Sequence, residues 1–588
     1  MTGNEAVARG FWEGGGLLAA SYPGSPTVEI LESIKRYDGI EAGWAPNEKV
    51  AMEIAIGASM AGARTIVSMK HVGINIASDP FMTFTQIRTK GGFVLLVGDD
   101  PGLNSSQNEQ DSRFWGAFAN IPVLEPSSPQ EIKDFVKVAL QISEEYNTPV
   151  LVKLTTTLCH GRAPVAMEDR TEKSAEGFSE DQARYCMLPP YANGQQQFMQ
   201  DRIARLGEYN NEAALNLYTE AENSDTLIIT SGVTYEYLKE ADVKASVFKL
   251  GMVHPLPMEK IRQLAAKYEK IIVIEELMPF IEDSLKAGGI KAEGKKYFPI
   301  TGEITTDVIR EGLYKAGLIK EEPAFNKKNT GIPPRTPMLC AGCPHRPVFH
   351  ILKKAKAVVM GDIGCYSLGI LEPFEVLKTN ISMGASLGMV RGVAAVHRRI
   401  GKQKPLVAMI GDGTFFHSGM PGMVELSKTK DNITVIVMDN RTTAMTGGQE
   451  TPTTGEYISD EDKHVINIKN VIQSFGIEDI TVVDQFKYKE TREAITAAMG
   501  REGLSVIITT RPCALNFKVK EPNFYVDHNI CISCRSCIGV NCPPISMKQY
   551  ENKEKKNSYI NPDMCVGCSV CSQVCPVGAI KRSGADAE

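Results

Sequence analysis

The fourteen cysteines are the residues of this chain whose number and spacing point most directly to chemistry. Eight of them fall within residues 531–575. They form two runs, Cys531-x2-Cys534-x2-Cys537-x4-Cys542-Pro and Cys565-x2-Cys568-x2-Cys571-x3-Cys575-Pro. A secreted protein would spread its cysteines through small disulfide-bonded domains. So many thiols in one short segment indicate metal binding instead.

The second run reproduces the cysteine pattern of bacterial two-cluster ferredoxins, and this resemblance covers roughly residues 522–582. In such modules the fourth cysteine of each run serves the other cluster. The resemblance therefore implies two [4Fe–4S] clusters, one on Cys531, Cys534, Cys537 and Cys575 and one on Cys565, Cys568, Cys571 and Cys542. The first run departs from the pattern by one extra residue before Cys542. A pair of structural zinc knuckles is the alternative, although zinc sites rarely show this spacing.

A second group of candidate residues follows two short apolar runs. LVAMI (406–410) leads into Gly411-Asp412-Gly413, and ITVIVM (433–438) ends in Asp439-Asn440, with a helical stretch predicted over 420–429. This pattern predicts a βαβ unit with polar residues at the carboxyl ends of its strands, where α/β sheets bind ligands. Asp412 and Asn440 would supply the oxygen ligands that Mg²⁺ prefers, and the glycines would let the backbone approach a diphosphate. The alternative is an ordinary strand, turn and helix with an aspartate cap.

The GDG sequence, followed by 26 residues and then Asn440, resembles the signature of thiamine diphosphate enzymes. By that resemblance the carbonyl of Thr442 completes the magnesium site. Four more cysteines flank this region, and their placement resembles the proximal [4Fe–4S] cluster of pyruvate and 2-oxoacid:ferredoxin oxidoreductases. They are Cys340, Cys343, Cys365 and Cys513. A zinc site and free buried thiols are the alternatives, because two of the four are distant in sequence and join the set only by analogy.

Near the N-terminus, the turn Pro23-Gly24-Ser25-Pro26-Thr27 is rigid at both prolines. It resembles the turn that opens the pyrimidine-binding domain of ferredoxin-dependent 2-oxoacid oxidoreductases, which implies cofactor contacts from Pro23, Ser25 and Thr27. In thiamine enzymes a glutamate of this domain bonds N1′ of the aminopyrimidine and turns its amino group into a base. Glu48 is our candidate for this role. Glu53 is its competitor, and either could be a solvated helix carboxylate.

By resemblance to the domains of these families, we predict a multidomain α/β chain of four segments. They are a pyrimidine-binding thiamine domain (1–175), a connection with a transketolase C-terminal-like domain (176–335), a diphosphate-binding thiamine domain with the proximal cluster (336–521), and an α+β two-cluster ferredoxin domain (522–588). We expect a polar connection over 160–205 and a linker over 320–338. Four polar residues are possible substrate-side groups but are more readily structural: Lys70, His71, Arg113 and His160.

Length and composition agree with this organisation. A chain of 588 residues should hold three to five domains, and 43% hydrophobic and 23% charged residues are ordinary for a globular protein. A net charge of −6 gives no electrostatic reason to expect nucleic acid as a partner. The first residues show no signal peptide, and the apolar runs are too short to span a membrane. We therefore expect a cytoplasmic protein.

Taken as a whole, the chain resembles the alpha subunits of the indolepyruvate:ferredoxin oxidoreductase family, which are thiamine diphosphate dependent. The resemblance implies anaerobic oxidative decarboxylation of aryl pyruvates with coenzyme A, with electrons passing through three [4Fe–4S] clusters to ferredoxin. It also implies a smaller beta subunit that carries the gamma-type catalytic domain, in a heterotetramer of two alpha and two beta chains. Alternatives are the same chemistry on phenylpyruvate or another 2-oxoacid, a non-oxidative decarboxylase, and a non-catalytic electron-transfer subunit.

Overall fold

The computed structural model describes residues 1–323, 336–455, 464–518, 521–551 and 553–584. The chain divides into two compact units, Met1–Thr330 and Gly331–Glu588. Most of the linker predicted for 320–338 lies outside the described residues. Within the described ranges, no helix combines the length and the apolar character needed to cross a membrane.

The first unit is built on a seven-stranded sheet with the strand order β10-β5-β6-β4-β3-β1-β2. Its strands are β1 (Leu18–Ser21), β2 (Glu41–Trp44), β3 (Thr65–Lys70), β4 (Phe93–Asp99), β5 (Val123–Leu124), β6 (Val150–Thr155) and β10 (Met252–His254). Only the edge strand β10 is antiparallel to its neighbour. Every residue of β4 is buried, which explains its unbroken apolar run, because a central parallel strand is covered on both faces.

Helices cover both faces of this sheet. They are α1 (Gly3–Glu13), α2 (Val28–Ile34), α3 (Glu48–Met60), α4 (His71–Phe84), α5 (Arg113–Phe118), α6 (Pro129–Tyr146) and α7 (Thr156–His160). The long helix α6 shows why the sequence folds this way. Ser128 caps its N-terminus, Pro129 occupies its first turn, and Asn147 ends it in the left-handed conformation.

A smaller sheet in the same unit has the strand order β11-β8-β9-β7. Its strands are β7 (Leu217–Thr219), β8 (Thr226–Ser231), β9 (Ser246–Leu250) and β11 (Lys270–Ile274). The accompanying helices are α8 (Gln182–Tyr185), α9 (Pro189–Asn211), α10 (Val233–Glu240), α11 (Met258–Ala265), α12 (Phe280–Ala287) and α13 (Thr306–Lys315). The 23-residue helix α9 stands partly where we expected a polar connection.

The second unit contains a five-stranded parallel sheet with the order β12-β13-β14-β16-β15. Its strands are β12 (Val358–Met360), β13 (Leu406–Gly411), β14 (Ile433–Met438), β15 (Ile480–Val483) and β16 (Leu504–Thr509). The helices are α14 (His345–Ala355), α15 (Ala385–Arg399), α16 (Asp412–Thr414), α17 (Met420–Ser427), α18 (Ile468–Ser474) and α19 (Tyr488–Met499), with 3-10 turns at Cys365–Ile370 and Ala444–Thr446. A π-helical turn, Phe415–Gly419, joins α16 to α17, so helical structure begins at Asp412, earlier than predicted.

The cysteine-rich tail of this unit forms two small antiparallel pairs. They are β17 (Phe524–Val526) with β20 (Ile580–Arg582), and β18 (Ile545–Lys548) with β19 (Asn557–Ile560). A 3-10 turn, Ile538–Val540, and the short helix α20 (Val570–Gln573) complete it. Its core is small and includes cysteine side chains among the apolar ones, so thiols contribute to the packing. The predicted α/β class with an α+β tail is thus confirmed, while the predicted domain boundaries stay predictions.

Candidate functional site

Asp412, Asn440 and Thr442 meet at the carboxyl edge of the five-stranded sheet, where β13 and β14 end side by side. The two strands are parallel and stay in register up to Gly411 and Met438. One terminal atom of the Asn440 amide lies 2.9 Å from Oδ1 of Asp412 and 3.1 Å from the carbonyl oxygen of Thr442. If that atom is the nitrogen, it donates hydrogen bonds to both oxygens. If it is the oxygen, three oxygen ligands converge.

This triangle of oxygens fits magnesium. Oxygen ligands at about 2.1 Å from Mg²⁺ in an octahedron lie about 3.0 Å apart along each edge. The two spacings around the Asn440 amide match two such edges. The residues present therefore suit a magnesium ion in their donor set and in their spacing.

Two threonines that the sequence analysis did not single out fix the orientation of the Asp412 carboxylate. The hydroxyls of Thr451 and Thr453 both donate to its Oδ2, at 3.1 and 2.8 Å. This leaves Oδ1 directed at Asn440. Such outer contacts typically alter metal affinity by about 10–100-fold when they are lost. No spacing pattern in the sequence TPTT (451–454) identifies these two threonines as contacts of Asp412.

Electrostatics also favours a cation at this edge. Asp412 is only 2% exposed, and burial together with repulsion from Asp439 raises the pKa of its carboxyl. Burial likewise raises the pKa of Asp439. Two neighbouring carboxyls in a poorly solvated position strongly favour a compensating positive charge, either a proton or a bound cation.

The turn predicted to contact the cofactor lies at the carboxyl edge of the seven-stranded sheet. It follows β1 and packs against the end of β4, since a Cβ on Gly98 would lie 2.6 Å from Thr27 Cγ2. Asn4 Nδ2 donates to the carbonyl of Pro26 at 2.8 Å, and Thr27 donates to the carbonyl of Gly24 at 3.1 Å. The turn is thus closed by an internal hydrogen bond and tied to α1 through Asn4. Pro23 is buried, and Ser25 is half-buried.

Glu48 and Glu53 have very different surroundings in the structure. Glu48 begins α3 directly after β2, so it lies at the same sheet edge as the turn, and it is 7% exposed. Its carboxylate reaches α4, where a Cβ on Gly73 would lie 2.8 Å from Glu48 Oε1. Glu53 is exposed and pairs with Lys49 one helical turn away. These environments favour Glu48 as the functional carboxylate.

The candidate substrate-side groups mostly have structural contacts. Arg113 is fully buried. Its Nη1 donates to Glu275 at 2.7 Å, and its Nη2 donates to Asp111. His71 is also buried, with its two ring nitrogens near backbone carbonyls, and burial lowers its pKa. Lys70 donates to the Ser105 carbonyl at 2.7 Å, and His160 is exposed at the end of α7.

The buried charged network around Arg113 makes a prediction about pH. Burial raises the pKa of Asp99 to about 8. Between its usual pKa near 4 and this value, Asp99 is ionised only in the unfolded chain, so unfolding releases a proton and stability falls as pH rises. We expect Asp99→Asn, which cannot ionise, to remove this loss and to raise the anaerobic Tm at pH 8 by about 2–4 °C.

At pH 5 the same substitution should change Tm little, because the folded wild-type carboxyl is already neutral there. Scanning calorimetry at both pH values measures the difference. A variant whose Tm falls equally at pH 5 and pH 8 would show that Asp99 is ionised in the folded protein.

The first predicted ligand set of the tail lines one cavity. Cys531, Cys534, Cys537 and Cys575 border it together with apolar side chains such as Val526. Three of these cysteines come from the first run and one from the second. Burial raises the pKa of Cys537, whereas hydrogen bonding with Ser536 lowers the pKa of the exposed Cys534. This cavity therefore lies close to the protein surface at Cys534.

The second predicted set lines another cavity of the tail, with the reverse division between the runs. Cys542, Cys565, Cys568 and Cys571 border it. Burial raises the pKa of Cys568 to about 11. Among the described residues, no three His, Cys, Asp or Glu side chains form a site for a single metal ion. The thiols surround cavities rather than a point.

The four cysteines of the predicted proximal cluster come from three separate parts of the second unit. Cys340 and Cys343 precede α14, Cys365 follows β12, and Cys513 follows β16. Burial, together with the charges of Cys513 and Cys340, raises the pKa of Cys365 to about 11. Burial and the charges of Cys365 and Cys340 likewise raise the pKa of Cys343. The fold thus brings all four thiols into one neighbourhood.

This neighbourhood adjoins the candidate magnesium site. The backbone N–H of Cys513 donates to the carbonyl of Asn440 at 3.0 Å. Next to Cys365, the Tyr366 ring packs on Gly411, where a Cβ would lie 2.8 Å from the ring. A redox centre on these cysteines would therefore be beside the oxygen atoms of the candidate magnesium site.

Comparison with protein families defines the class of this fold and site. Residues 13–228 match the model described as pyruvate flavodoxin/ferredoxin oxidoreductase, thiamine diphosphate-binding. Residues 362–509 match the C-terminal TPP-binding domain of thiamine pyrophosphate enzymes, and residues 558–581 match the 4Fe–4S binding domain. The chain is thus an oxidoreductase with thiamine pyrophosphate-binding domains and an iron–sulfur motif.

Individual relatives narrow this class. The indolepyruvate oxidoreductase subunit IorA of Pyrococcus horikoshii is 36% identical over 630 aligned positions, covering 99% of this chain and 96% of that protein. The IorA subunit of Methanothermobacter thermautotrophicus is 34% identical, covering 99% and 97%. The solved 2-oxoglutarate:ferredoxin oxidoreductase of Magnetococcus marinus aligns at 17% identity with a TM-score of 0.43, covering 54% of this chain and 64% of that chain. The chain belongs to the IorA family of indolepyruvate oxidoreductase subunits.

Proposed function

We propose that this chain catalyses the oxidative decarboxylation of aryl pyruvates, with indole-3-pyruvate as the preferred substrate. In the overall reaction one 2-oxoacid, one coenzyme A and two oxidised ferredoxins give one arylacetyl-CoA, one CO₂, two reduced ferredoxins and one proton. Thiamine diphosphate, Mg²⁺ and three [4Fe–4S] clusters would be the resident cofactors. The names of its relatives and its ferredoxin-like tail support this assignment.

The contact between Cys513 and Asn440 is the observation that supports this function best. A decarboxylation without oxidation needs no redox centre at the magnesium site. Here four thiols converge beside that site, and eight more line two cavities of the same unit. Iron–sulfur clusters transfer single electrons, as a ferredoxin acceptor requires.

The protein's own groups divide the work of holding and activating the cofactor. Asp412, Asn440 and Thr442 would hold the metal that neutralises the diphosphate, with Thr451 and Thr453 orienting Asp412. When bound, thiamine diphosphate supplies the electron sink that decarboxylation of a 2-oxoacid needs. Glu48 would share a proton with N1′ of the aminopyrimidine, and Pro23, Ser25 and Thr27 would form part of the wall around that ring.

We also assign partners to the chain. A smaller beta subunit with the gamma-type domain would complete the enzyme, in a heterotetramer of two alpha and two beta chains in the cytoplasm. Ferredoxin would accept electrons at the tail, where Cys534 is exposed. The word subunit in the names of the relatives supports a heteromeric enzyme.

Anaerobic turnover of a panel of 2-oxoacids by the purified complex tests this function. The panel contains indole-3-pyruvate, phenylpyruvate, a branched-chain 2-oxoacid and 2-oxoglutarate, each with coenzyme A and oxidised ferredoxin. We expect the highest kcat/KM for indole-3-pyruvate, with one thioester formed per two ferredoxins reduced. A preference for another 2-oxoacid would show that indole-3-pyruvate is not the preferred substrate. Aldehyde release without ferredoxin reduction would show that the decarboxylation is not oxidative.

The number of clusters gives a second test. Iron analysis of anaerobically purified chain should approach about twelve irons, four for each of three clusters. Cys340→Ala should lower this to about eight while thiamine diphosphate stays bound, because only the proximal set loses a ligand. A wild-type content of about eight that Cys340→Ala leaves unchanged would show that no proximal cluster forms.

A further inference from the structure

Arg346 is a buried cation between two groups of cysteines in the second unit. It lies in the first turn of α14, directly after the Cys340–Cys343 loop, and is 2% exposed. Its guanidinium donates to three backbone carbonyls: Nε to Cys340 at 2.9 Å, Nη2 to Leu339 and Nη1 to Asn541. The first two carbonyls belong to the proximal loop, and the third belongs to the residue before Cys542. The side chain therefore joins two predicted cluster sites.

No carboxylate within the described part of the chain forms an ion pair with this guanidinium. The groups beside it that can carry negative charge are cysteine thiols. Burial lowers the pKa of Arg346, and the charges of Cys542, Cys343, Cys340 and Cys568 oppose that effect. Two of these cysteines belong to the proximal set and two to the second tail set. Arg346 also lines the cavity of that tail set.

The backbone around Arg346 brings the two sites into direct contact. Gly342 lies between Cys340 and Cys343 with a φ of +66°, and a Cβ there would lie 2.1 Å from Val566 Cγ2 of the tail. The Gly342 N–H also donates to the Cys542 thiol, which lowers the pKa of that thiol against the effect of burial. The two sites thus adjoin each other, and Arg346 borders both.

A buried positive charge without a carboxylate partner is costly unless other anions compensate it. The three carbonyls satisfy its hydrogen bonds but supply no net charge. A [4Fe–4S] cluster with four cysteine ligands is negatively charged, and reduction adds one more negative charge. An adjacent guanidinium therefore stabilises the reduced form relative to the oxidised form, and solvent screens a buried charge weakly.

We propose that Arg346 raises the reduction potentials of both the proximal cluster and the tail cluster held by Cys542, Cys565, Cys568 and Cys571. Because it borders both sites, it would shift both potentials in the same direction and change the difference between them little. Arg346 is a tuning residue and touches neither the substrate nor the thiazolium. This inference rests on the proposed function, because it requires both clusters.

Redox titrations of the anaerobic complex, monitored by electron paramagnetic resonance, test the inference. Arg346→Gln removes the charge but keeps donor groups, and Arg346→Lys keeps the charge. We expect Arg346→Gln to lower the equilibrium constant for reduction of each adjacent cluster at least tenfold. For a one-electron couple this corresponds to a potential lower by about 59 mV. The cluster of the Cys531 set should change less than threefold. In Arg346→Lys the equilibrium constants for reduction of all three clusters should stay within threefold of the wild-type values.

Arg582→Gln is the matched control. This arginine is also in the tail, but its side chain is 40% exposed and pairs with Glu521. Water screens such a charge, so the same substitution should leave all three potentials unchanged. The Cys340→Ala variant, which should lack the proximal cluster, assigns the resonances.

Each outcome decides between a charge effect and a purely structural role. A Gln variant that keeps its iron and wild-type potentials overturns the proposal. Lys and Gln variants that lose iron, or shift potential, to the same degree also overturn it, because hydrogen-bonding shape alone would then explain Arg346. Lowered potentials in the Gln variant, with iron and potentials preserved in the Lys variant, support it. Absent clusters or absent turnover in the wild type would instead refute the proposed function.

Discussion

Glu48→Gln is expected to slow hydrogen–deuterium exchange at thiazolium C2 of bound thiamine diphosphate by about 10²-fold or more, and turnover with it. A glutamine cannot share a proton with N1′, so the amino group of the pyrimidine loses its basic character. Thiamine diphosphate content and iron content should stay near wild-type values, since neither depends mainly on that proton. Quenched-flow exchange followed by NMR of the released cofactor measures the effect directly.

Glu53→Gln is the control on the same helix. Glu53 is exposed and pairs with Lys49, and surface pairs of this type contribute little. Exchange at C2 should therefore be unchanged in this variant. Fast exchange in Glu48→Gln together with slow exchange in Glu53→Gln would reverse the assignment. Wild-type exchange rates in both variants would remove both glutamates from the mechanism.

Asp412→Ala should abolish magnesium-dependent binding of thiamine diphosphate while all three clusters persist. The substitution removes a direct ligand, so the loss of metal affinity should exceed the 10–100-fold range that is typical of outer contacts. Equilibrium dialysis with labelled cofactor at several Mg²⁺ concentrations, together with iron analysis, gives both numbers. Normal cofactor content in this variant would refute the magnesium assignment.

Two graded controls accompany this variant. Thr453→Val removes one hydrogen bond to Asp412 Oδ2 and should weaken metal affinity within the 10–100-fold range. Asp479→Ala makes the same chemical change as Asp412→Ala just before β15, at the opposite edge of the same sheet. There Asp479 pairs with Arg501 and accepts from Ser505. Cofactor binding should be unaffected in that variant.

The sequence was most informative where a short local pattern coincides with a functional unit. Buried parallel strands read as unbroken apolar runs, and the residues that follow them lie at one sheet edge, so Asp412 and Asn440 could be paired from sequence alone. Cysteine spacing was equally informative, because each run supplies three of the four thiols of one predicted set, and each set lines one cavity.

Other features depend on contacts between distant segments and left no local signal. Thr451 and Thr453 bond a residue about forty positions away. Helix α9 was missed because its buried stripe is largely polar: Gln195, Met199, Arg202, Leu206 and Asn210. Arg202, for instance, donates to the carbonyl of Thr85 at 2.8 Å. Hydrophobic periodicity does not detect a helix that packs through hydrogen bonds.

The antiparallel edge strand β10 has a consequence for how the first unit is made. The ribosome adds Met252–His254 more than ninety residues after Thr155, the end of the last parallel strand of that sheet. Until then β5 has an open hydrogen-bonding edge, which other chains can pair with during synthesis. A recombinant fragment that stops at residue 228, where the family match ends, would keep that edge open permanently. The smallest piece with a finished sheet therefore extends through His254.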